Sequence, residues 1–177
     1  MLFDIDKRFT RISARQQAPR RLEDRQRDVY DSHRHRVFSV SFYMTGSEIE
    51  AEDILQDTFV RAFHAADEPD QAIVDGALVQ QLAQRVDLVD ERLPIPPSGD
   101  LPCGRNILRT DLEEALRCLP ALERLVFLLM DVEGYPASRV AELLQKTSAE
   151  VFRTAIAARL RLRAELALMQ GDGEQAA

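Results

Sequence analysis

Apolar residues along most of this chain recur at spacings of three and four, which is the pattern of helices that bury one face. The clearest example is the stripe formed by Leu122, Leu125, Val126, Leu129 and Met130. Strand-like alternation is nearly absent, and the 7 Gly and 8 Pro cluster at the breaks between apolar segments. The pattern therefore predicts an all-α protein.

The breaks divide the pattern into two parts. The segment 93–104, LPIPPSGDLPCG, has a composition that neither a helix nor a strand ladder tolerates. We therefore expect two small helical domains joined by a Pro/Gly-rich linker about which they move independently. The predicted boundaries are an N-terminal extension at 1–21, a first helical domain at 22–92, a linker at 93–109, a second helical domain at 110–169 and a frayed tail at 170–177.

Local signals indicate where individual helices begin and end. Thr45-Gly46 ends a first long helix, and a helix is predicted from Gln71 to Arg92. Pro136 opens a short helix that is followed by a tight turn and a long terminal helix, the arrangement of a helix-turn-helix. Three capping boxes are predicted to start helices: Ser47 with Glu50, Thr110 with Glu113, and Thr147 with Glu150.

Composition and charge exclude several classes of function. A net charge of −7 argues against a protein that coats nucleic acid, although arginines gather near both ends of the chain. The two cysteines and three histidines match no metal motif, so neither a metal nor a cofactor is expected. No catalytic constellation is present, and an enzyme is not expected. No apolar run is long enough to span a bilayer, so a cytoplasmic protein without membrane insertion is expected.

The segment 51–63, AEDILQDTFVRAF, predicts a helix with two different faces. Ala51, Leu55, Thr58, Phe59 and Ala62 fall on one side as an apolar stripe. Like charges one helical turn apart cost a helix roughly 0.2–0.5 kcal/mol, so the acidic row opposite the stripe suggests a binding surface. An ordinary solvated acidic face is the alternative. The row comprises Asp53, Gln56 and Asp57, with Val60 and His64 on or near the same side.

With its flanks, from Asp28 to Ala65, this segment resembles region 2 of bacterial RNA polymerase sigma factors of the extracytoplasmic-function (ECF) group within the sigma-70 family. The stretch from Asp111 to Arg163 is similar to region 4 of the same family. The resemblance implies that core RNA polymerase is a partner and that its clamp helices, in the largest subunit, contact Asp53, Gln56, Asp57 and Val60. It also implies contacts with promoter DNA, for which the candidates are Arg139, Arg153, Thr154, Arg159, Arg161 and Arg163.

Two segments depart from the family pattern. The family usually has a Trp-containing, Arg- and Asn-rich helix that opens the −10 element, whereas here Asp67 to Glu91 is acidic. In the terminal helix the inner face is predicted to include Val151, Ala155 and Leu162, which leaves Ile156 and Leu160 on an outward face that is unusually apolar. Both departures bear on how this chain would engage DNA.

Three hypotheses follow. In the first, the chain is an ECF-type sigma factor that binds core polymerase and directs promoter-specific initiation. In the second, it is a sigma-like regulator that binds polymerase or another protein without melting promoters. An unrelated helical adaptor or helix-turn-helix repressor is the third, and a repressor would not need the AEDILQDTF helix. The resemblance also makes an anti-sigma factor a plausible partner.

Overall fold

The structure is a computed structural model that describes residues 21–90, Pro94 and residues 107–175. The N-terminal extension through residue 20, most of the predicted linker and the last two residues lie outside the described residues. Seven α-helices form the described part, and their order is α1 Leu22–Thr45, α2 Glu48–Ala65, α3 Gln71–Arg85, α4 Arg109–Cys118, α5 Ala121–Phe127, α6 Ala137–Leu144 and α7 Ser148–Gln175. The all-α prediction is confirmed.

Helices α1 to α3 form the N-terminal domain. Helix α1 ends at Gly46, whose φ of 72° is a left-handed conformation that glycine adopts without strain. The Ser47 hydroxyl then accepts a hydrogen bond from the Glu50 amide at 3.3 Å and caps α2, as predicted. The inner face of α2 differs from the prediction, because Ile54 is fully buried while Leu55 is only partly buried.

Two predicted helix ends were misplaced. Helix α3 ends at Arg85 rather than Arg92, and Val86 after it is extended. The cap of helix α4 is Leu108, two residues before the predicted Thr110, and the carboxylate that accepts the Leu108 amide belongs to Asp111. Glu113 instead pairs with Arg109 one turn away along the helix at 2.7 Å. A Thr-x-x-Glu spacing alone did not distinguish these arrangements.

Helices α4 to α7 form the C-terminal domain. Helix α5 follows Pro120 and continues as one π-helical turn, Leu128–Val132, before Gly134 turns the chain with a φ of 72°. Helix α6 ends at Gln145, which takes the left-handed conformation with a φ of 53°. The third capping box is confirmed, because Thr147 and Glu150 exchange hydrogen bonds in both directions. The terminal helix extends to Gln175, through most of the segment expected to be frayed.

The two domains pack against each other. One continuous cluster of buried side chains runs from Val40 and Leu78 in the N-terminal domain to Leu125, Val140 and Val151 in the C-terminal domain. A smaller cluster holds α4 against α7, and Tyr43 of α1 packs against it. Each domain therefore leaves apolar side chains that the other covers, a contact that the sequence analysis did not predict.

The shared core predicts a large effect of truncation at its centre. Leu125 is completely buried, so Leu125→Ala should lower the free energy of unfolding by about 2–5 kcal/mol. Leu168, on α7, is 65% exposed and provides a matched control, with an expected change below about 0.5 kcal/mol for Leu168→Ala. Urea denaturation followed by circular dichroism measures both values. Equal effects of the two substitutions would contradict the assignment of the core.

Candidate functional site

The outward face of α2 contains the four residues predicted to contact polymerase. Asp53, Gln56, Asp57 and Val60 are all exposed, and their spacing places them along one side of the helix. Ile49 lies four positions before Asp53 on the same side and is 76% exposed. The face therefore combines acidic and amide groups at its centre with an aliphatic side chain at each end. Sequence reasoning missed Ile49, although its spacing from Asp53 could have identified it.

Helix α3 supports one end of this face. The Arg85 guanidinium binds the Asp57 carboxylate across the two helices, and it also donates to the Gln81 side-chain oxygen at 2.6 Å. Asp57 remains half exposed in this pair. Arg85 therefore fixes the position of Asp57 while leaving one side of its carboxylate open to a partner.

The residues predicted to contact DNA are distributed over several surfaces of the C-terminal domain. Arg153 is exposed at the start of α7, within the helix-turn-helix. Thr154 is buried, and its hydroxyl donates to the Glu150 carbonyl at 3.0 Å. Arg139 lies on α6 and faces the N-terminal domain. The structure thus groups only some of the six candidates around the exposed side of α7.

Internal ion pairs involve two further arginines of α7. Arg159 binds both carboxylate oxygens of Asp131, and Arg161 does the same with Glu123. The Arg161 pair is nearly buried and also contacts the Pro94 carbonyl at 2.9 Å, whereas Arg159 is about half exposed. Arg163 has a partner as well. In this conformation Arg161 functions as a structural residue that fastens α7 to α5.

The outward side of α7 also carries apolar side chains. Phe152 and Ile156 are about half exposed and lie one helical turn apart, with Arg153 between them in the sequence. Leu160, which was expected to extend this patch, is partly buried. Such side chains can contact thymine methyl groups but cannot bind phosphate, which requires cations or hydrogen-bond donors.

Two acidic residues at the start of α3, Asp70 and Asp75, have structural roles that the sequence analysis did not predict. Asp70 caps α3, because its carboxylate accepts the Ile73 amide at 2.9 Å. Asp75 is 3% exposed and points into the contact between the domains. There it binds Arg36 of α1 at 2.6 Å, lies 3.9 Å from Arg139 of α6 and accepts the Tyr135 hydroxyl at 2.9 Å.

Burial dominates the electrostatics of Asp75. Removal from water raises the pKa of this carboxyl above its ordinary value, although Arg36 and Arg139 act in the opposite direction. A buried carboxylate of this kind depends on its cationic partners to remain in place. The contact between the domains is therefore polar at this point and apolar in the adjoining core.

The described residues contain no group of three or more side chains suited to hold a metal ion. None of the described helices is long and apolar enough to cross a membrane. The described residues offer an acidic helix face, an exposed arginine at a helix-turn-helix and a buried ionic contact between the domains.

Comparison with known families identifies both domains. The family model described as Sigma-70 region 2 matches residues 29–74, and the model described as Sigma-70, region 4 matches residues 109–162. Together the two matches span more than half of the chain, and they occur in the order that the sequence predicted.

A solved structure has the same fold. The chain is similar to the sigma factor RpoE from Bartonella quintana, crystallised in complex with the anti-sigma factor NepR. The two are 20% identical, the match covers 81% of this chain and 95% of RpoE, and the TM-score is 0.55. The similarity extends over both helical domains.

Arg153 is exposed, whereas Arg161 is held in a nearly buried ion pair. Alanine substitution should therefore affect DNA binding at Arg153 and stability at Arg161. Arg153→Ala should weaken binding to a DNA duplex and reduce the slope of log affinity against log salt by about 0.9, the loss of one phosphate contact. Arg161→Ala should instead lower the free energy of unfolding by about 3–5 kcal/mol, because it removes the cation of a nearly buried ion pair. Fluorescence anisotropy and urea denaturation measure the two effects. A stable Arg161→Ala protein with an unchanged salt slope for Arg153→Ala would reverse the assignment.

Proposed function

This chain belongs to the sigma-70 family of sigma factors, in its extracytoplasmic-function group, and from that premise we propose that it binds core RNA polymerase through the outward face of α2 and directs initiation at particular promoters. The observation that carries the proposal is the exposed row of Asp53, Gln56 and Asp57 between Ile49 and Val60. The proposed contact is with the clamp helices of the largest polymerase subunit. No catalytic role is proposed for the chain itself.

The chemistry of this row suits a basic protein surface with apolar neighbours. Carboxylates accept charge-assisted hydrogen bonds from Arg and Lys, and an exposed aliphatic side chain at each end can be covered by the partner. The like charges of Asp53 and Asp57 destabilise the free helix slightly, and Arg85 compensates Asp57 while half of that carboxylate stays exposed to a partner. Arg85 holds Asp57 in position for this contact.

The C-terminal domain is proposed to contact promoter DNA through the exposed side of α7. Arg153 provides the central cation and Arg159 lies on its flank, while Phe152 and Ile156 provide apolar contacts with bases. In this proposal Arg139 and Arg163 contribute phosphate contacts, and Thr154 lies at the edge of the surface. Affinity for DNA should be low in the absence of polymerase, because few cations reach the surface.

A second candidate function is a sigma-like regulator that binds polymerase without melting promoters. The acidic stretch from Asp67 to Asp90, which includes α3, favours it, because opening a duplex requires stacking surfaces and phosphate neutralisation. The chain has no Trp, and Asp67, Asp87 and Asp90 are exposed along this segment. An anti-sigma factor is proposed as a further partner, since the similar RpoE was crystallised with one.

Charge reversal on α2 tests the polymerase contact. The double substitution Asp53→Arg and Asp57→Arg should abolish co-purification with core RNA polymerase, because two repulsive groups replace two attractive ones. The thermal unfolding midpoint should change little, since both side chains are exposed. Pull-down of core enzyme by tagged protein measures binding directly.

Glu48→Arg is the matched control. Glu48 is exposed on the same helix but lies about 140° around it from Asp53. It should retain polymerase binding, as should Ile49→Leu, whereas Ile49→Asp should weaken binding without destabilising the helix. Full binding by the Asp53 and Asp57 double variant would exclude this face as the contact.

A further inference from the structure

We propose that residues 1–20, which precede α1, bind the outward face of α2 in the free protein and cover the surface that is offered to polymerase. The docking follows from the charge, the apolar side chains and the position of that face. Only its effect on polymerase rests on the proposed function.

The sequence of residues 1–20, MLFDIDKRFTRISARQQAPR, is basic and amphipathic. It contains five basic and two acidic side chains. Two rows recur at spacings of three and four, an apolar row of Leu2, Ile5, Phe9 and Ile12 and a basic row of Arg8, Arg11 and Arg15. At about 100° per residue the two rows adjoin each other, which is the pattern of segments that dock as an amphipathic helix.

The outward face of α2 offers the complementary groups. Asp53 and Asp57 provide exposed carboxylates at its centre, and carboxylates accept charge-assisted hydrogen bonds from arginine. Ile49 and Val60 leave aliphatic surface exposed at its two ends. The basic row and the apolar row of one segment therefore find acidic and aliphatic partners on one helix face.

An open groove between α1 and α2 adjoins this face. It has a volume of about 460 Å³ and is lined by Tyr30, Asp31, Arg34, His35, Phe38 and Leu55. Glu52 is exposed and lies one helical turn from both Leu55 and Gln56, so it connects the groove with the acidic face. The aromatic walls of the groove suit an aromatic side chain, and Phe9 lies in the apolar row of the extension.

Contacts between α1 and α2 fix the point where the extension begins. Arg25, in the first turn of α1, pairs with Glu68, which follows α2. Further along α1, the Tyr30 ring lies 4.8 Å from the Phe59 ring. The two helices are therefore antiparallel, and the chain enters α1 beyond the end of the face that Val60 forms.

The length of the extension matches this geometry. The face from Ile49 to Val60 covers about 17 Å of helix, and Leu2 to Ile12 would cover about 15 Å in the same conformation. The start of α1 lies roughly 14 Å beyond the level of Tyr30, counted along the helix. Residues 13–20 can span up to roughly 26 Å when extended, which is enough to reach the face.

Two other exposed apolar surfaces fit the extension less well. On α7, Phe152 and Ile156 have Arg153 between them in the sequence, and its charge would repel a basic segment. At the start of α4, Leu108 is exposed, but the neighbouring Arg109 contacts Tyr43 near the far end of α1. That surface is about 33 Å along α1 from the start of the helix. The α2 face combines opposite charge with proximity.

Attachment to the same chain makes even a weak contact effective. A short tether gives an effective concentration on the order of 1 mM. A segment whose dissociation constant as a separate peptide is about 0.1 mM would therefore be docked about 90% of the time. Polymerase has to displace it, which lowers the apparent affinity for polymerase about tenfold.

Photo-crosslinking on the full chain tests the docking without polymerase. Phe9 is replaced by the photoreactive analogue p-benzoylphenylalanine, and crosslinked peptides from monomeric protein are mapped by mass spectrometry. The expected crosslinks join residue 9 to residues 49–60 of α2 or to residues 30–38 of α1, which border the groove. Crosslinks to any other surface, or only between two chains, would overturn the proposal.

Charge exchange makes this test specific. Replacement of Arg8, Arg11 and Arg15 with Glu should abolish the crosslinks, as should the double substitution Asp53→Arg and Asp57→Arg, because each leaves like charges facing each other. Both sets together should restore the crosslinks, and their absence from the combined variant would contradict the pairing. Glu48→Arg, on another side of α2, should leave them unchanged. Circular dichroism verifies that every variant retains its helix content.

Removal of the cations from the extension tests competition with polymerase. Replacement of Arg8, Arg11 and Arg15 with Ala should raise the affinity for core RNA polymerase about tenfold, as measured by fluorescence anisotropy of the labelled protein. Replacement of the same three residues with Lys is the matched control, which retains the charge and should lose most of that gain.

The two measurements separate docking from function. If residue 9 crosslinks to α2 but the alanine variant binds polymerase no more tightly, the extension does not compete with polymerase and that part of the proposal is overturned. If the Asp53 and Asp57 double variant still binds polymerase in full, the proposed contact on α2 is wrong, whereas crosslinking of the wild-type face still supports docking.

Discussion

The carboxylate of Asp75 is taken out of water at the contact between the two domains, and its surroundings follow from that burial. A buried ion costs several kcal/mol unless cations and hydrogen-bond donors surround it. Arg36 on α1, Arg139 on α6 and the Tyr135 hydroxyl provide them, which requires the two domains to meet at this point. The adjoining apolar core stabilises the same arrangement.

Internal ion pairs also explain how the chain can be acidic although its family binds promoter DNA. Several of its arginines are committed within the molecule, with Arg161 on Glu123, Arg159 on Asp131 and Arg85 on Asp57. These pairs order α7 and the α2 face, and they reduce the positive charge available to phosphates. Few cations are therefore left for phosphates, and the affinity of the free protein for DNA should be low.

Local sequence signals were sufficient for the helices and insufficient for their assembly. Gly46, Ser47 and the Thr147 and Glu150 pair were identified correctly because capping depends on neighbours in the chain. The end of α3 and the start of α4 were misplaced, and the acidic stretch from Asp67 to Glu91 was interpreted only as a departure from a DNA-opening helix. The role of Asp75 could not be predicted, since its partners lie 39 positions before it in α1 and 64 positions after it in α6, and periodicity carries no information about such contacts. The exposed face of α2 was predictable because a helix fixes which residues share a side; its contacts with polymerase remain a prediction.

Transcription by purified core RNA polymerase with and without this protein distinguishes promoter-directed initiation from polymerase binding without promoter melting. Sheared genomic DNA serves as template, the 5′ ends of transcripts are sequenced, and the same fragments carrying a pre-opened bubble are compared with intact duplex. Promoter-directed initiation predicts a discrete set of start sites on intact duplex that requires the protein and disappears with the Asp53 and Asp57 double variant. Transcripts that arise only from pre-opened templates, or start sites that are the same without the protein, would contradict it.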